Sequence, residues 1–567
     1  MPRLLCAIVV AVGLAAALAS AQTAGFVPVT DRMLQNPDPA DWINWRRTLD
    51  GWGYSPLSQI NVQTAARLTL VWSRVVTPGV GETTPLVYKG TMYLAKPMDE
   101  KGSGGVLALD AATGQLRWEY RKTLEAKPAF DGRMRSLAIF KDRIYLNTPD
   151  AHIVALDAQS GAVVWDETVA DYKLGYRYTS GPIVVNGRIV AGMTGCDRYK
   201  NDVCFISAHD ADTGKQVWRT STIARPGEPG GDTWGDLPLT FRAGGDAWIP
   251  GSYDPRTNLI YWSVAQAKPW ARVSRGTDGD ALYTNSVLAL DPQTGKIVWF
   301  HQFLPGETHD MDEVFESILI DRGDRRSIFK MGKLGILWEI DRTNGRFLSA
   351  RDLGYQTIVD LNTSTGRVTY RPGMIPEDGV ALDFCPGLGG IRTWRAMAYH
   401  PATKALYIPI SLSCQRSIFS AVEKVEGGGG NSVRPFAGEK TVSTFPHPES
   451  PNSRGGLIAM DTVTGGILWS NPTRRGPTTA TLTTGGGLVI VGDGDGDLNV
   501  HDAKSGKIVF QTRLPFVASG FPITYQVAGR QYLTFPAGPT GPGISVFALG
   551  APGAVPPVPP PAAAPRE

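Results

Sequence analysis

The sequence lacks the marks of several function classes. Its formal net charge is only +3 over 567 residues, so no basic surface argues for a nucleic-acid partner. No Cys-x-x-Cys pair occurs, which argues against a thiolate zinc site. No Cys-x-x-Cys-His occurs either, so there is no covalent haem c. Cysteine is scarce, five in all. The one long apolar run, Leu4 to Leu18, is short for a membrane span. What is plentiful is glycine (65), proline (42) and tryptophan (15), a composition that suits a turn-rich β protein.

The N-terminus reads as an export signal. Arg3 supplies positive charge, the apolar run follows, and "ASA" at 19–21 is a small-residue cleavage site. Residues 1–21 are therefore expected to be a signal peptide, with an uncleaved anchor as the rival reading. Cys6 falls within it. Cys196, Cys204, Cys385 and Cys414 remain, and an even count in an exported protein favours two disulfides. Local pairing gives Cys196–Cys204 and Cys385–Cys414.

One pattern recurs: apolar, Asp, two residues, Thr/Ser-Gly, three residues, aromatic. It reads "ALDAATGQLRW" (108–118), "ALDAQSGAVVW" (155–165), "AHDADTGKQVW" (208–218), "ALDPQTGKIVW" (289–299), "AMDTVTGGILW" (459–469) and "VHDAKSGKIVF" (500–510). "EIDRTNGRFLS" (339–349) is a weaker copy, and "SYDPRTNLIYW" (252–262) and "AYHPATKALYI" (398–408) are relatives. The physics is that of a hairpin: Asp bonds the turn amides and Gly takes the positive φ. The aspartates at 110, 157 and 210 are spaced as four-stranded propeller blades are. The expected fold is all-β, an eight-bladed β-propeller of four-stranded antiparallel blades over 22–550. The rival, a linear β-solenoid, has much shorter rungs. The terminal aromatics are expected to pack between blades. Residues 421–455 contain "EGGGGNS" and several prolines and read as a long loop. The tail 551–567 reads as a disordered Pro/Ala-rich segment.

The repeat with its terminal tryptophan, together with "RTLDGWGYSPLSQIN" (47–61), resembles the quinoprotein alcohol dehydrogenases. These are exported eight-bladed propellers that bind pyrroloquinoline quinone and a metal ion. The resemblance covers roughly 30 to 550 and implies a set of cofactor-binding residues. Glu82 in "GETTPLV" matches the family's first-blade glutamate, and Arg135 in "GRMRSLAIF" the arginine at the quinone. Thr179 in "YTSGP", Trp248 in "GGDAWIPGSYDP" and Lys333 in "KLGILWEIDRTNG" match the threonine, the tryptophan under the ring and the lysine at the quinone carbonyl. Read alone, Arg135 and Lys333 could equally be surface charges, and Trp248 core packing.

The implied metal shell is less even. The family's "GxSGAE" is here "GMTGCD" (192–197), so Thr194 and Gly195 keep their places and Asp197 stands for the glutamate. Gln266 in "SVAQAKPW" stands for the metal-binding asparagine, and both are competent oxygen ligands. The family's adjacent cysteines are replaced by Ala129-Phe130, and its late asparagine and tryptophan by Thr393 and Thr478. In "PGETHDMDE" (305–313) the resemblance makes Asp310 the catalytic base and a metal ligand. Asp312 is two residues on, which in extended chain gives the same facing. Two carboxylates about 5 Å apart repel by roughly 3 kcal/mol at an effective dielectric near 20. An ion between them reverses that penalty. In the family the second aspartate accompanies lanthanide rather than calcium use.

The resemblance thus implies a periplasmic dehydrogenase, not membrane-spanning once mature. It would pass hydride from a small alcohol to pyrroloquinoline quinone, with a lanthanide or Ca2+. Electrons would then leave to a separate c-type cytochrome or other acceptor. The alternative is a propeller that has lost the cofactor and serves as a binding scaffold.

Overall fold

The computed structural model describes residues 25–76, 81–99, 101–125, 132–428, 438–514, 516–536 and 543–550. The expected signal peptide 1–21, the tail 551–567 and Ala129-Phe130 lie outside the described residues.

Among the described residues, eight sheets each contain a four-stranded antiparallel blade. In chain order they span 86–123, 138–168, 183–221, 252–302, 318–352, 398–473, 482–513 and 523–549. The last is completed from the other end of the chain: strand Leu68–Val75 pairs antiparallel with Gly543–Leu549 and so closes the ring. The seventh gains a short fifth strand, Tyr54–Ser55, parallel to Leu482–Thr484. That strand lies within the "RTLDGWGYSPLSQIN" segment.

The recurring motif forms the outer hairpin of a blade. In the second blade His152–Asp157 turns into Val163–Thr168. Asp157 Oδ1 accepts from the Gln159 and Ser160 amides and from the Ser160 hydroxyl. Gly161 then takes φ 74°, where a Cβ would also lie 2.5 Å from the Trp118 ring of the preceding blade. Trp118 Nε1 in turn donates to Ala158 O at 3.1 Å. The same aromatic-to-next-turn contact recurs for Trp72 with Ala111 O, Trp165 with Ala211 O, Trp218 with Pro292 O and Trp469 with Ala503 O. The terminal aromatics therefore pack between blades.

The two motif relatives are different hairpins. "SYDPRTNLIYW" and "AYHPATKALYI" form the first two strands of the fourth and sixth blades, Ser252–Asp254 with Leu259–Ser263 and Ala398–His400 with Ala405–Ser411. They add no blade; the eighth comes from the chain ends.

The stretch 421–455 is not all loop. Glu439–Pro446 is a strand that pairs with Ser413–Phe419, which pairs in turn with Ala381–Phe384. "EKTVSTFP" carries Thr, Val and Phe, good strand formers, and the neighbouring glycines and prolines obscure that signal. Both expected disulfides are present, Cys196–Cys204 and Cys385–Cys414. The second joins two strands of this added sheet near Phe384 and Gln415.

Candidate active site

A cavity of about 390 Å³ is lined by residues from the segments that lead into the second to fifth blades and from the connections between the second and third strands of the third and fourth blades. Much of its wall is built from pairs two residues apart: Arg133 and Arg135, Arg177 and Thr179, Asp246 and Trp248, Gln266 and Lys268, Asp310 and Asp312. In extended chain such pairs share a face, so one short segment delivers two side chains to the same space.

One wall is cationic and aromatic. Arg135 Nε donates to Glu82 Oε2 at 2.7 Å, and its Nη1 donates to Thr179 O at 3.1 Å. The guanidinium carbon lies 4.9 Å from the Trp248 ring centre. Phe315 meets that ring edge-on at 5.4 Å, which fixes its plane. Arg133 Nε lies 3.5 Å from Glu82 Oε1. Glu82 is thus a buried anchor behind the arginines rather than part of the cavity surface.

The floor is acidic. Lys333 Nζ donates to Asp310 O at 2.7 Å and to Asp310 Oδ2 at 2.9 Å, and lies 3.0 Å from Asp312 Oδ2. These acceptors match the three donors of an ammonium. Part of the role expected of a metal ion, relief of repulsion between the two aspartates, is therefore performed by Lys333. Asp310 has φ 66°, so this segment is not simply extended, yet both carboxylates reach the same ammonium. Gln266 Nε2 donates to Asp310 Oδ1. Gln266 Oε1 and Asp312 Oδ1 are buried with no hydrogen-bond partner. Burial pushes the Asp310 carboxyl up, Lys333 pulls it down, and Asp312 pushes it up further, leaving it above the ordinary range. The largest cause of the rise is desolvation. Burial pulls Lys333 down, and the two aspartates more than reverse this, holding it above its usual value.

Thr194 lines the cavity and bridges Arg177 through paired backbone hydrogen bonds. Gly195 does not line it; at φ 76° a Cβ there would lie 1.9 Å from Gly175 O, and its amide donates to Asp246 Oδ1 at 2.7 Å. Asp197 is buried, with Oδ2 3.8 Å from Arg177 Nη2, and is also outside the cavity lining. Asp246 lines the wall instead. Sequence reasoning passed over Asp246 and Lys268, although both stand in segments quoted for Trp248 and Gln266. The signal available was the two-residue alternation, applied only to Asp310 and Asp312. Arg133 and Arg177 carry the same signal beside Arg135 and Thr179.

The residues fit two kinds of ligand. The orphaned oxygens of Gln266 and Asp312, beside Asp310, suit a hard cation. The guanidiniums of Arg133, Arg135 and Arg177 and the ammonium of Lys268, around the indole of Trp248, suit a flat polyanion. Fold and cavity together define a class, a β-propeller whose second to fifth blades line a site suited to a flat anion beside a hard cation.

Comparison with known proteins gives the family. The chain matches the PQQ family described as "Glucose/ethanol/alcohol dehydrogenase, beta-propeller domain" over residues 42–350 and 360–533. It belongs to that family of quinone-dependent dehydrogenases and is an oxidoreductase of the alcohol dehydrogenase type. It is 30% identical over 528 residues to the quinohemoprotein alcohol dehydrogenase ADH IIB of Pseudomonas putida, covering 88% of this chain and 73% of that protein. It is 29% identical to the quinoprotein alcohol dehydrogenase PedH of Pseudomonas putida, covering 90% and 88%. Among solved structures, quinohemoprotein alcohol dehydrogenase ADHIIG of Pseudomonas putida superposes with a TM-score of 0.82 at 28% identity, covering 94% and 85%. A europium-containing methanol dehydrogenase superposes at 0.84 and 24% identity, covering 92% and 100%, and shares the fold. Membership of an enzyme family does not favour the scaffold alternative.

Proposed function

We propose that this protein oxidises a small alcohol, with pyrroloquinoline quinone on the Trp248 wall and a cation at Gln266, Asp310 and Asp312. The observation that carries the reading is the pair of orphaned buried oxygens, Gln266 Oε1 and Asp312 Oδ1, beside the Asp310 carboxylate. Buried acceptors without donors are costly, and a bound cation removes that cost. When bound, the quinone supplies a two-electron acceptor and the cation polarises it. The chain's own residues do the rest. Glu82 fixes Arg135, which with Arg133 and Arg177 offers charge to carboxylates. Trp248, held edge-on by Phe315, gives a flat platform. Thr179 and Thr194 complete the wall beside the arginines.

Asp310 would be the general base, taking the alcohol's hydroxyl proton at its carboxylate. Lys333 keeps that carboxylate oriented from below through Oδ2. A cation beside Asp310 favours the ionised base, against the upward push of burial. Asp312 adds a second negative charge to the cation shell, which favours a lanthanide over Ca2+. Asp197, paired toward Arg177, contributes charge from behind the wall.

Export to the periplasm rests on residues 1–21. Among the described residues no helix is long and apolar enough to cross a membrane. A separate c-type cytochrome or similar acceptor would take the electrons. The test is reconstitution of purified protein with pyrroloquinoline quinone plus calcium or lanthanum, then dye-linked oxidation of a panel of alcohols. Failure to bind the quinone with either metal would defeat the proposal.

A further inference from the structure

Asp246 and Lys268 form a buried ion pair on the cavity wall, Nζ to Oδ2 2.9 Å, with the two residues 4% and 6% exposed. The placement is rigid. Ala243–Gly244 pairs antiparallel with Ala267–Lys268, and the Ala265 amide donates to Asp246 O at 2.9 Å. Asp246 Oδ1 is occupied by the Gly195 and Cys196 amides at 2.7 and 3.3 Å. Only Oδ2 is left for Lys268, so Asp246 acts as a fixed bracket. Gln266 and Lys268 are two residues apart and both line the cavity. One short segment thus sends an amide to Asp310 and an ammonium to Asp246, all four residues lining the same cavity.

From this geometry we infer that Lys268 is a further cofactor-binding residue, a donor to a carboxylate of the quinone, positioned by Asp246. The inference rests on the cavity holding pyrroloquinoline quinone. An ammonium has three donors, and among the described residues Lys268 spends one on Asp246 Oδ2. Two other cations of the site are more heavily engaged: Arg135 by Glu82 and Thr179 O, Lys333 by two aspartates. A charged donor fixed in a desolvated wall binds a carboxylate more strongly than a mobile surface lysine does.

The test is quinone affinity, measured by equilibrium dialysis and by quenching of tryptophan fluorescence, with calcium and with lanthanum. The proteins are wild type, K268M and the double variant D246N/K268M. The double variant leaves no unpaired buried charge, so it remains informative if K268M fails to fold. Far-UV circular dichroism and melting of the cofactor-free proteins check the fold. Both variants are expected to bind roughly 10- to 100-fold more weakly than wild type. Binding by wild type with equal affinity in K268M overturns the assignment alone. Wild-type affinity in the double variant also overturns it, because Lys268 would then merely neutralise Asp246. No binding by wild type overturns the cofactor reading itself and this inference with it.

Discussion

The rim and the centre of the propeller treat their polar groups in opposite ways. At the rim each motif aspartate is satisfied by its own turn: Asp110, Asp210, Asp291 and Asp461 all accept from amides two and three residues on, as Asp157 does. At the centre Gln266 Oε1 and Asp312 Oδ1 are buried without a partner. Partners at the rim are local, so each blade stabilises itself and its neighbour. Partners at the centre come from different blades, and the unsatisfied remainder points to ligands. Stability and chemistry are thus separated in space, and substitutions in the two regions should fail differently.

Asp310→Asn is expected to have the largest effect. Turnover of the reconstituted enzyme should fall by about 10² to 10⁴-fold, with the melting temperature little changed. Steady-state kinetics with an artificial electron acceptor measure it, and near-wild-type turnover would remove Asp310 as the base. Trp218→Ala should do the reverse. It removes a buried ring, its bond to Pro292 O and its contact with the Gly295 turn. Stability should drop by about 3 to 5 kcal/mol in denaturant titrations, while the folded fraction still binds quinone. If binding is lost in step with Trp218, rim and centre are not separable.

Asp312→Ala should leave the rim untouched and weaken lanthanide binding by roughly tenfold or more, with calcium affected less. Tryptophan-sensitised terbium luminescence and calcium competition read this out. Equal loss for both ions would cancel the lanthanide preference. The smallest effect concerns rim histidines. His209 Nδ1 lies 2.9 Å from Gly214 O, and His501 Nδ1 3.0 Å from Gly506 O, each inside a motif turn. Burial lowers both below the ordinary histidine value. Below about pH 6.5 the unfolded chain binds protons that the folded one resists. Stability present above that pH is therefore lost as pH falls. A His209→Gln/His501→Gln variant should show a flatter dependence of melting temperature on pH between about 7 and 5. An unchanged slope would place the acid sensitivity elsewhere.

The rim was legible because its rules are short-range. Asp157, Ser160 and Gly161 stand within five residues, and each copy repeats the same spacing. The centre was only partly legible. Resemblance picked out Arg135, Thr179, Thr194, Trp248, Gln266, Asp310 and Asp312, all of which line one cavity. It also picked out Glu82, Gly195, Asp197 and Lys333, which stand behind that lining. It passed over Asp246 and Lys268, whose pairing depends on two segments more than 20 residues apart in sequence meeting across a two-residue ladder. The strand Glu439–Pro446 was hidden by composition, since glycines and prolines beside it outweighed its own strand-forming Thr, Val and Phe.

The sequence by itself determined the blade: a hairpin whose aspartate, glycine and aromatic are bound to neighbours a few residues or one repeat away. It also placed Asp310 and Asp312 together, since two residues of chain leave them little freedom to separate. Only the tertiary structure decided which cation stands between them. Lys333 is more than 20 residues on, and its ammonium reaches both carboxylates only because the fifth blade sets its loop beneath them. Contacts within a turn are fixed by chain geometry, whereas contacts between blades are fixed by closure of the ring.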